Sequence, residues 1–592
     1  MFIAGILIPN ENVKLLLYLV AYAVTGIDVL FAAIKNLLRL SVLDEHFLMS
    51  IASMGAFVTG NYTEAVAVML LYQLGELFQG YAVNKSRKSI TDLMDIRPDR
   101  ANVIRDGKEV CVPPEAVAVG EIIVIKPGER IPLDGKIIEG HSTLDMSALT
   151  GESVPVDVEH GAEIMSGSVN LSGVIKAVVT KVFSESTVSR ILELTEHASS
   201  RKSVSERFIS VFASYYTPVV VILALILALV PPFFTGMNFG EWIYRALTFL
   251  VISCPCALVI SVPLSFFAGI GRASADGILV KGSNFLEALA KAETVVFDKT
   301  GTLTKGEFRV HEIKCEGINA KELIRYGALA EAYSSHPLAK AITAEYEVSE
   351  EEVPASDYEE VAGCGVKANI DGKAVAVGNK KLMNSLHIEC PEREGTVVYV
   401  GVDGEYAGYI AFSDTVKEDA ALAVSLLKKE GIKQTIMLTG DNHQAAEAAG
   451  SQVGIDSIFS GLLPWEKVQK VEEILVASSG KVMFVGDGIN DAPVLARADV
   501  GVAMGGVGSD AAIEAADVVL MTDEPSKLVR AIKISKATML TVKQNIVFSL
   551  GVKLGVLVLG ALGMASMWAA VFADVGVAFI AIINSVRILK RK

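Results

Sequence analysis

Long apolar stretches limit what this chain can fold into. They run from Val13 to Ile34, Phe47 to Thr59, Thr63 to Val83, Val211 to Phe234, Ile243 to Ile270, Ile546 to Leu562 and Trp568 to Ile583. A helix needs about 20 such residues to cross a bilayer, so these runs read as membrane helices. The opening Phe2 to Pro9 reads as the tail of another. Two polar inserts interrupt the series, from Asn84 to Glu206 and from Gly271 to Thr541. With 51% hydrophobic and 20% charged residues, the 592-residue chain is too apolar to be wholly soluble and too charged to be wholly embedded.

Basic residues beside the spans orient them. Lys35, Lys85, Arg87, Arg201, Arg207, Arg272, Lys536, Arg587 and Lys590 fall on one side when the chain threads alternately. The opposite connections, near Asn61, Pro231 to Glu241 and Gly563 to Met567, carry none. Both inserts are therefore expected in the cytoplasm. A net charge of −15 argues against nucleic acid as a partner, because neutralising phosphates needs basic surface. The six cysteines offer no disulfide framework and suit a reducing compartment.

From Val103 to Val182 apolar and polar residues alternate between Gly and Pro turns, which predicts a small β-rich domain. The second insert opens with an apolar strand, departs into a mixed segment from Phe308 to Ser413, then alternates strands and helices again. A doubly wound α/β sheet interrupted by an inserted domain explains that order.

The opening strand, Val295-Val296-Phe297, delivers Asp298 to a glycine-containing turn, Lys299-Thr300-Gly301-Thr302. A lone carboxylate there is a candidate nucleophile for phosphoryl transfer through an aspartyl phosphate. Lys299 and the hydroxyls and amides of Thr300 to Thr302 are positioned to hold phosphate. A second strand, Val482 to Val485, ends in Gly486-Asp487-Gly488-Ile489-Asn490-Asp491, and a third ends in Thr439-Gly440-Asp441-Asn442. Asp298 and Asp487 with a phosphate suit Mg²⁺, which takes oxygen ligands, and Asp491 adds a further acid. Thr439 and Asp441 can assist, and Lys467 can neutralise phosphate charge.

This ordered set, with its Asp-Lys-Thr-Gly-Thr, resembles the P-type ion pumps and their haloacid-dehalogenase-like phosphorylation domain. The resemblance implies that Asp298 is phosphorylated and that Asp487 binds Mg²⁺. Phosphatases of the wider fold carry a water-activating acid two residues after the nucleophile, where this chain has Thr300. Thr150-Gly151-Glu152-Ser153 resembles the family's dephosphorylation loop, which implies that Glu152 positions the attacking water. No G-x-x-x-x-G-K-[ST] motif is present. Ser335-His336-Pro337 instead resembles the nucleotide signature of the heavy-metal branch, implying an ATP site formed by Glu331, His336, the pair Gly363 and Gly365, and Gly378-Asn379.

Cys254-Pro255-Cys256 lies within the run Ile243 to Ile270, where proline breaks helix hydrogen bonding and two soft thiolates can face one cavity. Lys553 and Asp574 are ionisable groups within apolar spans and are functional candidates on cost alone. Cys-Pro-Cys with this Lys and Asp resembles the zinc, cadmium and lead branch. It implies export of Zn²⁺, also Cd²⁺ and Pb²⁺, with Cys254, Cys256 and Asp574 as ligands and Lys553 as counter-charge. Glu76 is a candidate on the release path. The rival readings are a Cu⁺ exporter of the same family and a membrane-tethered phosphatase without transport.

The expected organisation is transmembrane helices over 1–83, the first truncated and with an amphipathic platform near 26–42, and an actuator domain over 84–206. A hairpin with Cys-Pro-Cys covers 207–271, a phosphorylation domain 272–307 and 414–530, an inserted α+β nucleotide domain 308–413, and two last helices 531–592. The implied cofactors are ATP and Mg²⁺. The implied setting is a prokaryotic-type plasma membrane, with a metal donor protein as a possible partner. Relatives often carry a ferredoxin-like metal-binding domain ahead of the first helix.

Overall fold

The structure is a computed structural model that describes residues 11–38, 45–93, 98, 100–146, 155–189, 203–235, 238–253, 256–334, 336–346, 356–361, 364–393, 396–487, 491–505 and 514–590. The chain divides into two compact units, Met1–Ala290 with Ala531–Lys592, and Lys291–Arg530.

The first unit holds the apolar helices. Among the described residues, Asn12–Lys35, Phe239–Ala275, Ser526–Ala561 and Val571–Lys590 are long and apolar enough to cross a membrane, and His46–Val58 and Pro218–Phe234 are shorter apolar helices. The expected run Thr63 to Val83 lies in a longer helix, Tyr62–Leu93, whose end is polar. Its helical pattern outlasts the apolar one because no proline intervenes before Pro98. The segment Ser526–Ala561 likewise begins well before the apolar run at Ile546. The single helix expected from Ile243 to Ile270 is divided, ending at Ile252 and resuming at Cys256. The platform expected near 26–42 continues the helix Glu11–Leu38 as far as residue 38, and the rest of it, like Phe2 to Pro9, lies outside the described residues.

These helices pack through small residues. A Cβ on Gly55 would stand 2.6 Å from Leu247 Cδ1, and one on Gly75 would stand 2.7 Å from Val575 Cγ2. Ala52, Ala56 and Val68 join Met69, Val251 and Val571 in the shared core. Phe31, Val547, Leu554 and Phe572 turn outward and stay exposed, as suits a lipid-facing surface.

The first insert is β-rich. A six-stranded antiparallel sheet includes Ala101–Arg105, Ile122–Ile125 and Ile175–Val179. Val103, Ile123, Ile125, Ile137 and Ala177 form its core at alternate positions. The helix that follows, Val204–Leu229, starts at a capping box in which Ser203 and Glu206 satisfy each other's backbone.

In the second unit a parallel sheet runs in the order Val518–Leu520, Val500–Ala503, Lys481–Gly486, Ala292–Asp298, Gln434–Leu438, Ser457–Phe459. Chain order reverses direction at Ala292–Asp298, the topological switch point where such sheets place their ligands. Strand Thr304–Cys315 leaves this layer and pairs antiparallel with the returning Glu405–Val416. They are the edge strand and its neighbour in a six-stranded antiparallel sheet, covered by helices Ala320–Ala330 and Pro337–Ala344 around Leu323, Leu329, Ile342 and Ile410.

Candidate active site and membrane ion site

Parallel register gathers the three strand-end motifs. Asp298 pairs with Leu438, the residue before Thr439, while Phe297 pairs with Val485, two before Asp487. Lys467 lies on helix Pro464–Ala477, and its Nζ donates to Asp298 Oδ1 at 2.5 Å and to Asp491 Oδ1 at 3.1 Å. Burial, and then the neighbouring Asp491, push the Asp298 carboxyl up to about 7. Burial also raises Asp491. The carboxylates facing Lys467 raise its ammonium despite its own burial.

The turn after Asp298 requires glycine. Gly301 has φ +70°, and a Cβ there would stand 2.8 Å from Asp487 Oδ2, so Asp487 lies directly against the turn. Lys299 forms an ion pair with Asp441, and Thr439 Oγ1 accepts from the Asp441 amide at 3.1 Å. Thr302 Oγ1 is buried with no hydrogen-bond partner, an orphaned donor beside Asp298 that suits a phosphate oxygen. Asp298 and Asp487 supply the hard oxygen donors that Mg²⁺ takes. Among the described residues, no group of three or more His, Cys, Asp or Glu forms a metal-ligand cluster by itself.

Three residues of this site went unnoticed in the sequence. Lys417 Nζ donates to the Gly301 carbonyl at 2.7 Å and to Asp523 at 2.6 Å, pinning the turn. Burial lowers that lysine. Asp414 accepts from Thr304 Oγ1 at 2.5 Å. For Asp414 and Lys417 the only sequence signal is a polar end to the strand Glu405–Val416, which looks like any strand exit, and Asp523 lies far along the chain in an ordinary acidic turn.

In the inserted domain, Glu331 is buried at the end of helix Ala320–Ala330, and burial raises its carboxyl. His336 is exposed and caps helix Pro337–Ala344, its Nδ1 accepting from the Leu338 amide at 3.2 Å. Gly365 and Gly378 face each other across paired strands. A Cβ on Gly365 would stand 2.2 Å from the Val377 carbonyl oxygen, so backbone packing alone requires this glycine. Asn379 caps helix Lys380–Ser385 through the Lys381 and Leu382 amides. Gly363 lies outside the described residues, as does Glu152 with its loop between strands Ser142–Asp145 and Val156–Val158.

Within the helical unit, Lys553 Nζ donates to Asp574 Oδ1 at 2.5 Å, both largely buried. Cys254 and Pro255 lie outside the described residues, and Cys256 opens its helix. Their neighbours are informative. Ala257 packs against Val577 and Ala578, one turn from Asp574. Tyr216, hydrogen-bonded to the side chain of Ser253, is within electrostatic reach of Asp574. Glu76 is half-buried next to Gly75, which contacts Val575.

Residues 292–499 match the haloacid dehalogenase-like hydrolase family, and residues 95–196 match the P-type ATPase actuator domain. All of this chain aligns at 54% identity with 85% of the cadmium, zinc and cobalt-transporting ATPase of Bacillus subtilis (strain 168). The zinc-transporting ATPase of Synechocystis sp. is 50% identical over 98% of this chain and 81% of that protein. A crystal structure of a zinc-transporting PIB-type ATPase in its E2·Pi state has a TM-score of 0.65 at 36% identity, covering 98% of this chain and 96% of that one. Strand-end carboxylates, an ion pair among apolar helices and likeness along the whole chain agree: this protein belongs to the heavy-metal P-type ATPases.

Proposed function

We propose that this ATPase exports Zn²⁺, with Cd²⁺ and Pb²⁺ as further cargo, across a plasma membrane, with both inserts in the cytoplasm. The observation that carries the choice of cargo is the Lys553–Asp574 pair at 2.5 Å within apolar helices. An anionic oxygen beside two thiolates suits borderline divalent ions better than Cu⁺, which prefers sulfur alone.

Cytosolic metal, delivered free or by a donor protein, binds Cys254, Cys256 and Asp574. Lys553 neutralises Asp574 when the ion leaves, since an unpaired charge at that depth is costly. Glu76 lies on the release path. ATP binds at Glu331, His336, Gly363, Gly365, Gly378, Asn379 and Asp441, and Asp298 attacks its γ-phosphoryl group, forming the aspartyl phosphate as the β–γ bridge breaks and ADP leaves. Asp298 and Asp487, with Asp491 nearby, would hold Mg²⁺, which would supply positive charge opposite the phosphate. Lys467, Lys299, Thr300 and Thr439 hold the transferred group, and Glu152 then orients water for hydrolysis. Coupling requires phosphorylation and metal binding to favour different states of the protein.

The test is turnover of the purified protein across Zn²⁺, Cd²⁺, Pb²⁺ and Cu⁺, with uptake into sealed inside-out vesicles. Stimulation and uptake with the divalent ions support the assignment. Stimulation by Cu⁺ alone would replace the cargo and leave the pump reading intact.

A further inference from the structure

The last two long helices, Ser526–Ala561 and Met567–Val586, leave a cleft of about 320 Å³ at one end. Its walls include Gln544 and Leu540 from one helix, and Asn584, Arg587, Ile588 and Lys590 from the other helix and the turn after it. Depth follows from helix length. The 20 residues of Met567–Val586 span about 30 Å, the thickness of the hydrocarbon core. Arg587 and Lys590 come directly after it, at the level of the lipid headgroups and on the side assigned to the cytoplasm.

Charge in the cleft is of one sign. Among the described residues neither Arg587 nor Lys590 pairs with an acid, and the Arg587 guanidinium hydrogen-bonds the Asn584 amide oxygen at 3.3 Å. The amides of Asn584 and Gln544 bridge the two helices at 3.3 Å, while Leu540 and Ile588 supply apolar wall. Two cations and the Gln544 amide at headgroup depth, beside the exposed apolar face that begins at Val547, match an anionic phosphodiester with acyl chains attached.

We propose that this cleft binds the headgroup of an anionic phospholipid. Arg587 and Lys590 contact the phosphate, the Gln544 amide donates to its oxygens, and the acyl chains run from there along the exposed apolar face that begins at Val547. Occupancy would brace a buried network. Asn584 donates to Asn545 at 2.9 Å, and Asn545 donates to Ser585 at 2.9 Å, itself 2.8 Å from Ser265 on the Cys256–Ala275 helix. The lipid therefore joins the cytoplasmic ends of the helices that carry Lys553, Asp574 and Cys256.

Native mass spectrometry of the full chain in detergent, titrated with phosphatidylglycerol or phosphatidylcholine, tests this site. Phosphatidylglycerol should be retained and phosphatidylcholine should not. Each cation near a phosphate is worth about fivefold, so Arg587→Gln with Lys590→Gln should weaken retention roughly twenty-fivefold. Lys543→Gln removes an exposed charge from the same helix outside the cleft and should change little. Gln544→Trp fills the cleft with its charges intact and should weaken retention even if the double variant folds poorly. Equal loss in Lys543→Gln would mean general surface attraction and would overturn the site. So would undiminished retention in Gln544→Trp, or displacement of the lipid by inorganic phosphate, which would mark a free-anion site.

Discussion

Two lysine–aspartate pairs, one in each unit, have the same 2.5 Å separation and opposite surroundings. Asp298 sits in a crowd of polar groups, with Asp491 sharing Lys467 and Asp487 against the next turn. Asp574 has Lys553, with the buried apolar residues Val571, Val577 and Ala578 on its own helix. Excess negative charge at the first site leaves room for a further cation. At the second, charge is balanced, and a divalent ion must displace or repel the lysine in order to bind. The same pair of side chains thus suits catalysis in one place and release of cargo in the other.

The largest expected effect is at Asp298. Asp298→Asn should abolish acid-stable, hydroxylamine-sensitive labelling from γ-phosphate-labelled ATP, because covalent catalysis needs the carboxylate. Labelling that persists would remove Asp298 from the mechanism. Glu152→Gln should do the reverse and slow phosphoenzyme decay about 10²- to 10⁴-fold, the usual worth of a positioned base. Decay at the normal rate would leave Glu152 without a catalytic part.

The membrane pair can be broken from either side. Asp574→Ala should remove divalent-stimulated turnover, whereas Lys553→Ala should raise metal-free turnover or slow release. Each single variant should also cost about 3–5 kcal/mol in a thermal or denaturant assay, as one stranded charge does. Lys553→Met with Asp574→Leu should recover most of that loss. If the double variant is as unstable as the singles, the pair is not coupled in the way its geometry implies.

A smaller effect is expected at His336. His336→Gln should raise the ATP concentration needed for phosphorylation roughly tenfold, about one hydrogen bond's worth. Phosphorylation by inorganic phosphate should hardly change. Equal impairment of both routes would point to the helix cap that His336 provides at Leu338.

The smallest effect concerns pH. Asp298 rises from 3.8 to about 7 on folding, so between those values the folded state binds a proton that the unfolded chain has released. Stability therefore falls as pH rises through that window. Asp298→Asn escapes this, and Lys467 keeps Asp491 as a partner. The variant should melt above wild type beyond about pH 7, and the difference should vanish below about pH 4. A constant difference across that range would assign the effect to something other than Asp298 titration.

Much of this was legible in the sequence because it is local. Strand patterns with a polar residue at the end gave Asp298, Thr439 and Asp487 as a set, and parallel register then required them to meet. Apolar runs gave the helices, though not their ends. Tyr62–Leu93 and Ser526–Ala561 extend through polar sequence because helix hydrogen bonding does not depend on hydropathy. The resemblance implies Gly365 and Gly378 as nucleotide contacts, yet their close backbone approach makes them necessary to the sheet in any case.

By itself, then, the sequence determined which chemistry is present: a strand-end carboxylate, a Cys-Pro-Cys, and two ionisable groups in apolar spans. Residue type and local periodicity suffice for that. Only the tertiary structure decided which charges meet. It joined Lys467 to both Asp298 and Asp491 and Lys417 to the Gly301 carbonyl, and it made the Lys553–Asp574 pair that the sequence had offered. Lysine reaches its partner at the end of a long flexible stem, so its pairing depends on packing between elements distant in the chain, which no local pattern records.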